Sequence, residues 1–115
     1  MKVLVVDDSA VMRRIVKKAL NEGGLSDIEE AENGKEALEK AGNADIVFTD
    51  WNMPVMDGLT FVKEFRKTSQ TPIVMLTTEG GQKEVLEAMK SGVNDYIVKP
   101  FQPNVLLTKV RGLVK

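Results

Sequence analysis

Short apolar runs alternate with longer segments of helical periodicity along this chain, and the alternation limits its fold more than any other feature. The runs are continuous, rich in β-branched residues and too short for core helices, which is typical of parallel strands covered on both faces. Four are clear, at residues 3–6, 46–48, 73–76 and 96–98. A weaker candidate at 27–31 carries Glu29 and Glu30, which suits an edge strand.

The first helical segment has an apolar stripe and a basic face. We expect the stripe to face the core, and it consists of Val11, Met12, Ile15, Val16, Ala19 and Leu20. The basic face is expected to be solvated, and it consists of Arg13, Arg14, Lys17 and Lys18. Ser9 is the predicted N-cap, and Gly23 with Gly24 is the predicted end.

Four further helices are predicted from the same periodicity. Asn33 or Gly34 begins the second, and we prefer this to an Asn-Gly hairpin because the residues that follow repeat at helical spacing. Gly92 ends the fourth, and Pro103 suits the first turn of the fifth, which is expected to run to Lys115. The apolar positions of helices three to five are Leu59, Val62, Phe65, Val85, Leu86, Met89, Leu106, Val110 and Leu113.

Five strands that alternate with five helices predict an open parallel sheet with helices on both sides, because strand–helix–strand crossovers are right-handed. The predicted fold class is α/β, a flavodoxin-like (βα)5 three-layer sandwich. Its strand order, 2-1-3-4-5, is taken from known proteins of this class. The 115 residues suit one domain, and we expect residues 1–115 to form it without an output domain.

Several classes of function are excluded by missing residue types. The chain has no cysteine and no histidine, so zinc–thiolate sites, Ser-His-Asp catalysis and His-ligated metal sites are impossible. A net charge of −1 gives no reason to expect binding to nucleic acid or membrane. The first apolar run ends in two acids and is too short for a signal peptide, so we expect a cytoplasmic protein.

Charged and hydroxyl residues follow the predicted strands at their carboxyl ends. They are, in chain order, Asp7, Asp8, Asp50, Thr77, Thr78 and Lys99. Ligands of open parallel sheets bind at these ends, where the strand order reverses, and the first and third strands flank that reversal. Three carboxylates are therefore expected to share one pocket. Alone, the Asp7-Asp8 pair would more often be acids at a helix start than a metal site.

The three carboxylates would repel each other strongly. Two unit charges about 5 Å apart repel by roughly 3 kcal/mol at an effective dielectric constant near 20. Either one carboxyl is protonated or a cation lies among them, and few protein ligands with several waters suit Mg²⁺ better than Ca²⁺. With Lys99 and a hydroxyl beside it, such a site is equipped for phosphoryl transfer to a carboxylate.

These residues resemble the receiver domain of two-component response regulators, and most closely its single-domain, chemotaxis-type members. The resemblance covers the whole chain. It rests on VDDS at 6–9, DWNMPVMDG at 50–58, TTE at 77–79, Tyr96, and KPF at 99–101.

The resemblance implies a role for each residue at the strand ends. Asp50 is the phosphoacceptor. Mg²⁺ is bound by Asp8 directly, by Asp7 mainly through water, by Asp50, and by the backbone carbonyl of Asn52. Lys99 binds phosphate and precedes a cis bond to Pro100.

The remaining implied roles concern switching and partners. Thr77 and Tyr96 move on phosphorylation and change the face made by helix 4, strand 5 and helix 5, while Asn52 and Glu79 tune hydrolysis. The expected partners are a sensor histidine kinase, for which helix 1 is the docking surface, and a target such as a flagellar motor switch protein. We expect a monomeric signalling protein rather than an enzyme, although it would catalyse its own phosphoryl transfer and slow dephosphorylation.

Two other functions remain open at this stage. A haloacid-dehalogenase-like phosphatase also forms an aspartyl phosphate with Mg²⁺, but it needs a second aspartate where this chain has Asn52. A receiver-like module that works without phosphorylation would be expected to lack one of the acids or the lysine. Dinucleotide-binding and P-loop motifs are not present in the sequence.

Overall fold

A computed structural model describes residues 1–114 of the chain. Five parallel strands form one sheet in the order β2-β1-β3-β4-β5, which confirms the predicted fold. The strands are β1 Val3–Val6, β2 Ile28–Ala31, β3 Ile46–Thr49, β4 Ile73–Thr77 and β5 Asp95–Val98. The helices are α1 Ala10–Glu22, α2 Gly34–Lys40, α3 Gly58–Phe65, α4 Gln82–Ser91 and α5 Pro103–Leu113, and a short 3₁₀ helix spans Ala41–Asn43.

The three central strands are buried along their whole length, as their continuous apolar runs predict. In β1, Leu4 and Val6 pack in the cluster that includes residues of α2 and α3. Val3 and Val5 point the other way and pack in the cluster that includes residues of α1 and α5. Because successive side chains of a strand alternate between faces, one apolar run supplies both layers of the core.

Side chains at the predicted helix starts make the expected capping hydrogen bonds. Ser9 Oγ accepts from the backbone N–H of Met12, and Asn33 Oδ1 accepts from that of Glu36, which confirms the helix and excludes the hairpin. Gly23 is the C-cap residue of α1. Gly92, at a φ of 117°, is the C-cap residue of α4. The last helix ends at Leu113, and the predicted end at Lys115 lies outside the described residues.

Two predicted apolar stripes are partly wrong. In α1 the side chains of Val16, Ala19 and Leu20 are buried, whereas Val11 and Ile15 are 60% and 48% exposed. The stripe is wider than the arc of a helix that one sheet face can cover, so its outer half remains in solvent.

The apolar residues of α4 are displaced in the same way. Ala88 is buried and Val85 is half-buried, but Leu86 and Met89 are 53% and 43% exposed. The small Ala88 packs in the core cluster that includes residues of α3, and it faces inward in place of its larger neighbours. Among residues 1–114, no helix combines the length and apolar character needed to cross a bilayer.

Candidate functional site

The register of the central strands brings two acids to one level of the sheet. Val6 of β1 lies opposite Thr49 of β3, so Asp7 and Asp50 follow from neighbouring strands. One carboxylate oxygen from each of Asp7, Asp8 and Asp50 lies within 4.8 Å of the others. The predicted convergence of three carboxylates is therefore observed.

Lys99 reaches the same cluster from the end of β5. Its Nζ lies 2.8 Å from Asp7 Oδ2 and 3.3 Å from Asp50 Oδ2. The three side chains are nearly buried, at 8%, 6% and 13% exposure for Lys99, Asp7 and Asp50. The backbone N–H of Lys99 donates to the carbonyl of Thr77 at 2.8 Å, and the peptide bond to Pro100 is cis, as the resemblance implies.

Backbone N–H groups orient the two paired acids. Asp7 Oδ1 accepts from the N–H of Ser9 at 2.9 Å, and Asp50 Oδ1 accepts from the N–H of Trp51 at 2.7 Å. Each carboxylate thus gives one oxygen to the backbone and the other to Lys99. Asp8 is exposed and makes no hydrogen bond or ion pair with any residue in 1–114.

The acidic cluster has a net negative charge that a bound cation would neutralise. One ammonium faces three carboxylates, which leaves two negative charges in a small and partly buried space. All the available ligand atoms are oxygens, and such a set fits a hard divalent ion such as Mg²⁺.

A second group of contacts lies on the loop that follows β4. Thr77 is fully buried and its Oγ1 accepts from the N–H of Glu79 at 3.3 Å. Glu79 Oε1 accepts from Asn52 Nδ2 at 3.0 Å, and the Glu79 carbonyl accepts from the Tyr96 hydroxyl. The side chains predicted to switch or to tune hydrolysis are thus joined through Glu79.

Arg13 was wrongly predicted to be solvated. Its side chain is 11% exposed, Nη1 donates to the Asp7 carbonyl at 2.7 Å, and Nε donates to Glu30 Oε1 at 2.8 Å. Lys17 also contacts Glu30, at 3.0 Å, and these two cations hold the pKa of Glu30 below its usual value. One feature of the sequence could have indicated these contacts with Glu30. Arg13 and Lys17 are one helical turn apart on the same helix, and Glu30 lies on the predicted edge strand beside β1.

Comparison with known proteins identifies the family. The model of the family described as "Response regulator receiver domain" matches residues 3–111 of the sequence. This chain belongs to that family.

Individual relatives agree with this receiver assignment. The chain is 56% identical over 116 residues to the chemotaxis protein CheY1 of Helicobacter pylori, covering 96% of this chain and 94% of the relative. It is 52% identical over 120 residues to the CheY homolog of Campylobacter jejuni, covering 99% and 92%. The solved structure of CheY4 from Vibrio cholerae matches with a TM-score of 0.89 at 42% identity, covering 98% of each chain.

Membership settles the choice between the families considered from the sequence. The chain is a receiver homologous to chemotaxis response regulators, and therefore a two-component signalling domain. It does not belong with the haloacid-dehalogenase-like phosphatases, which agrees with the Asn52 that replaces their second aspartate.

Gly58 holds the loop that follows Asp50 close to the start of α3. Its N–H donates to the Trp51 carbonyl at 2.7 Å, and a Cβ at this position would lie 2.0 Å from the Asp50 carbonyl oxygen. Any side chain here would therefore push away the backbone of the predicted phosphoacceptor. Asp57 caps the helix through Oδ1, which accepts from the N–H of Thr60 at 2.8 Å.

Val55, in the same loop, adopts a left-handed backbone conformation that is unfavourable for a β-branched residue. Its φ is 69° and its side chain is 77% exposed, so a β-branched residue occupies the left-handed region with little burial in return. We expect Val55→Asn to raise the free energy of unfolding by about 1 kcal/mol, because asparagine tolerates this region. Urea unfolding measures the change. The exposed, helical Val11 provides a control, Val11→Asn, which is expected to give no gain, and equal gains would refute strain at Val55.

Tyr96 is expected to ionise at unusually high pH. Burial, with the nearby carboxylates of Glu79, Glu84 and Asp50, raises the pKa of Tyr96 to about 12. The folded state therefore favours the neutral phenol, and the stability that this provides is complete below about pH 10 and is lost as pH rises toward the folded pKa.

Because the receiver has a single tyrosine, ultraviolet absorbance of the phenolate reports this residue alone. We expect a midpoint near 12 in the folded protein and near 10 in urea. A midpoint near 10 in protein that circular dichroism shows to be folded would contradict the placement of the ring.

Proposed function

We propose that this receiver is a phosphorylatable switch in which Asp50 accepts a phosphoryl group from a histidine kinase. The observation that carries the proposal is the clustering of Asp50 with Asp7 and Asp8, within 4.8 Å, beside the Lys99 ammonium. A carboxylate oxygen of Asp50 attacks phosphorus, the bond from phosphorus to the donor nitrogen breaks, and the electron pair leaves with the imidazole. Because the chain has no histidine, the donor must be another molecule.

Mg²⁺ is the proposed cofactor. Asp7, Asp8, Asp50 and the Asn52 backbone carbonyl would hold it, and it would supply positive charge that neutralises the phosphoryl oxygens. Lys99 would pair with a further phosphoryl oxygen, because its ammonium already lies between Asp7 and Asp50. We assign slow dephosphorylation to the same site, and the chain remains a signalling protein rather than an enzyme with turnover of an external substrate.

The kinase is proposed to dock on α1. Val11 and Ile15 form an exposed apolar pair one helical turn apart, with exposed Arg14 and Lys18 beside them. A docking partner would bury the pair and place acids near the two cations. A cytoplasmic location follows from this proposal, since the kinase domain must reach α1.

The output is proposed to be a change in the surface formed by α4, β5 and α5. Thr77 would move toward the phosphoryl group, and Tyr96 would follow because both contact Glu79. Val98 and Met89, each 43% exposed, supply apolar area on this surface. The names of the relatives support a chemotaxis-type role. For such a role we propose a flagellar motor switch protein as the target. Residues 1–115 are proposed to act as one monomeric domain in this role.

Acetyl phosphate tests the proposal without a kinase. With millimolar Mg²⁺ we expect the intact mass to rise by one phosphoryl group as the phosphorus–oxygen bond to acetate breaks, and EDTA is expected to prevent the rise. No mass gain with Mg²⁺ present would indicate an interaction module that works without phosphorylation.

A further inference from the structure

Arg13 connects α1, the edge strand β2 and the acidic cluster. Its Nη1 lies 2.7 Å from the Asp7 carbonyl oxygen, its Nε lies 2.8 Å from Glu30 Oε1, and its Nη2 lies 3.9 Å from Glu32 Oε1. The guanidinium is therefore held by two different elements at once. It touches the cluster through a backbone atom rather than through a carboxylate.

The contact with the Asp7 carbonyl controls the position of Asp8. That carbonyl belongs to the peptide group that joins Asp7 to Asp8, so a hydrogen bond to it fixes the rotation of this planar unit. The Asp7 side chain is already held by Ser9 and Lys99, at 2.9 and 2.8 Å. Asp8 has no such contact within the described part of the chain, so the hydrogen bond from Arg13 is the contact that restrains its peptide link to Asp7.

Electrostatics alone would give Arg13 the opposite effect. A guanidinium beside a cation site repels the cation, so its charge by itself weakens metal binding. Glu30 offsets that charge, because its carboxylate accepts from both Arg13 and Lys17. Positioning and charge thus predict changes of opposite sign when Arg13 is removed.

We propose that Arg13 is a positioning residue for the metal site: it raises the affinity for Mg²⁺ by fixing the peptide that links Asp7 to Asp8. The inference rests on the proposed function, since that function places Mg²⁺ at these acids. Groups that hold metal ligands in place typically change affinity by tenfold or more when they are removed.

Titration of Mg²⁺ against Trp51 fluorescence tests the inference. Trp51 is the only tryptophan and follows the acceptor Asp50 directly, so its emission reports metal binding without any reaction. We expect Arg13→Ala to weaken Mg²⁺ binding about tenfold. The matched control is Arg14→Ala, which removes the same charge from an exposed neighbour whose side chain makes no hydrogen bond or ion pair within residues 1–114, and it is expected to leave the Mg²⁺ affinity unchanged.

Two further variants separate geometry from charge. Arg13→Lys keeps the charge, but one ammonium cannot bridge Asp7 and Glu30. We therefore expect this variant to bind Mg²⁺ as weakly as Arg13→Ala does. Arg13→Gln keeps part of the stem that fills the space and is expected to lose affinity as Arg13→Ala does, and circular dichroism confirms that each variant is folded.

The outcomes distinguish the inference from the function on which it rests. If the unmodified protein shows no response to Mg²⁺, the proposed metal-dependent function fails. If it responds, and Arg13→Ala and Arg13→Gln bind Mg²⁺ as tightly as it does or more tightly, Arg13 acts through its charge or not at all, and the positioning role is overturned.

Discussion

Asp50→Asn is expected to abolish phosphorylation by acetyl phosphate completely. An amide in place of the carboxylate has no anionic oxygen to attack phosphorus, while its size and its contact with the Trp51 N–H can be retained. The intact mass after incubation with acetyl phosphate and Mg²⁺ measures the loss.

Asp57→Asn is the matched control for this experiment. Asp57 lies in the same loop, and asparagine can keep the capping contact to Thr60. This variant is expected to gain one phosphoryl group as the unmodified protein does. Incorporation into Asp50→Asn, or a phosphopeptide that excludes Asp50, would contradict the assignment of the acceptor.

The second large effect is expected from Lys99→Met, which removes the only ammonium that contacts the acidic cluster in residues 1–114. Asp7 and Asp50 would then be neighbouring carboxylates that keep their backbone N–H donors but lack a neutralising cation. Breaking a buried ion pair in this way lowers stability by about 3 to 5 kcal/mol. We expect a loss of this size in urea unfolding without divalent cations.

Mg²⁺ should recover part of the stability of Lys99→Met, because a cation bound to the folded state replaces some of the missing charge. The control is Lys109→Met, which removes a more exposed ion pair with Asp95 at 2.9 Å. That change should lower stability by less than about 1 kcal/mol, with or without Mg²⁺. Equal losses for the two variants would show that Lys99 does not neutralise the cluster.

The sequence predicted the sheet and the location of the acids because both depend on local patterns. Continuous apolar runs such as 73–76 identify buried parallel strands, and the residues that follow them necessarily meet at one edge of the sheet. Ser9 and Asn33 were recognised as caps because the capping contact spans three residues and needs no tertiary information. The strand order itself came from resemblance and not from residue patterns.

What the sequence did not predict depends on tertiary packing. The stripe of α1 contains more apolar residues than one side of a sheet can cover, and contact with β1 and α5 decides that Val16 is buried and Ile15 is not. The environment of Arg13 depends on how α1 lies over β1 and β2. The meeting of Asn52, Tyr96 and Glu79 likewise depends on the path of the loop after β4, for which the sequence has no periodic pattern.

Gly58 is a position that protein engineering of this chain should leave unchanged. A variant library that aims to alter the lifetime of the proposed acyl phosphate can sample Asn52 and Glu79 broadly, since these side chains contact each other rather than the main chain of the proposed acceptor, Asp50. At position 58 even alanine would place its methyl group on the Asp50 carbonyl. Such a library would therefore lose most of its functional members if it randomised this codon, and it should hold the glycine constant.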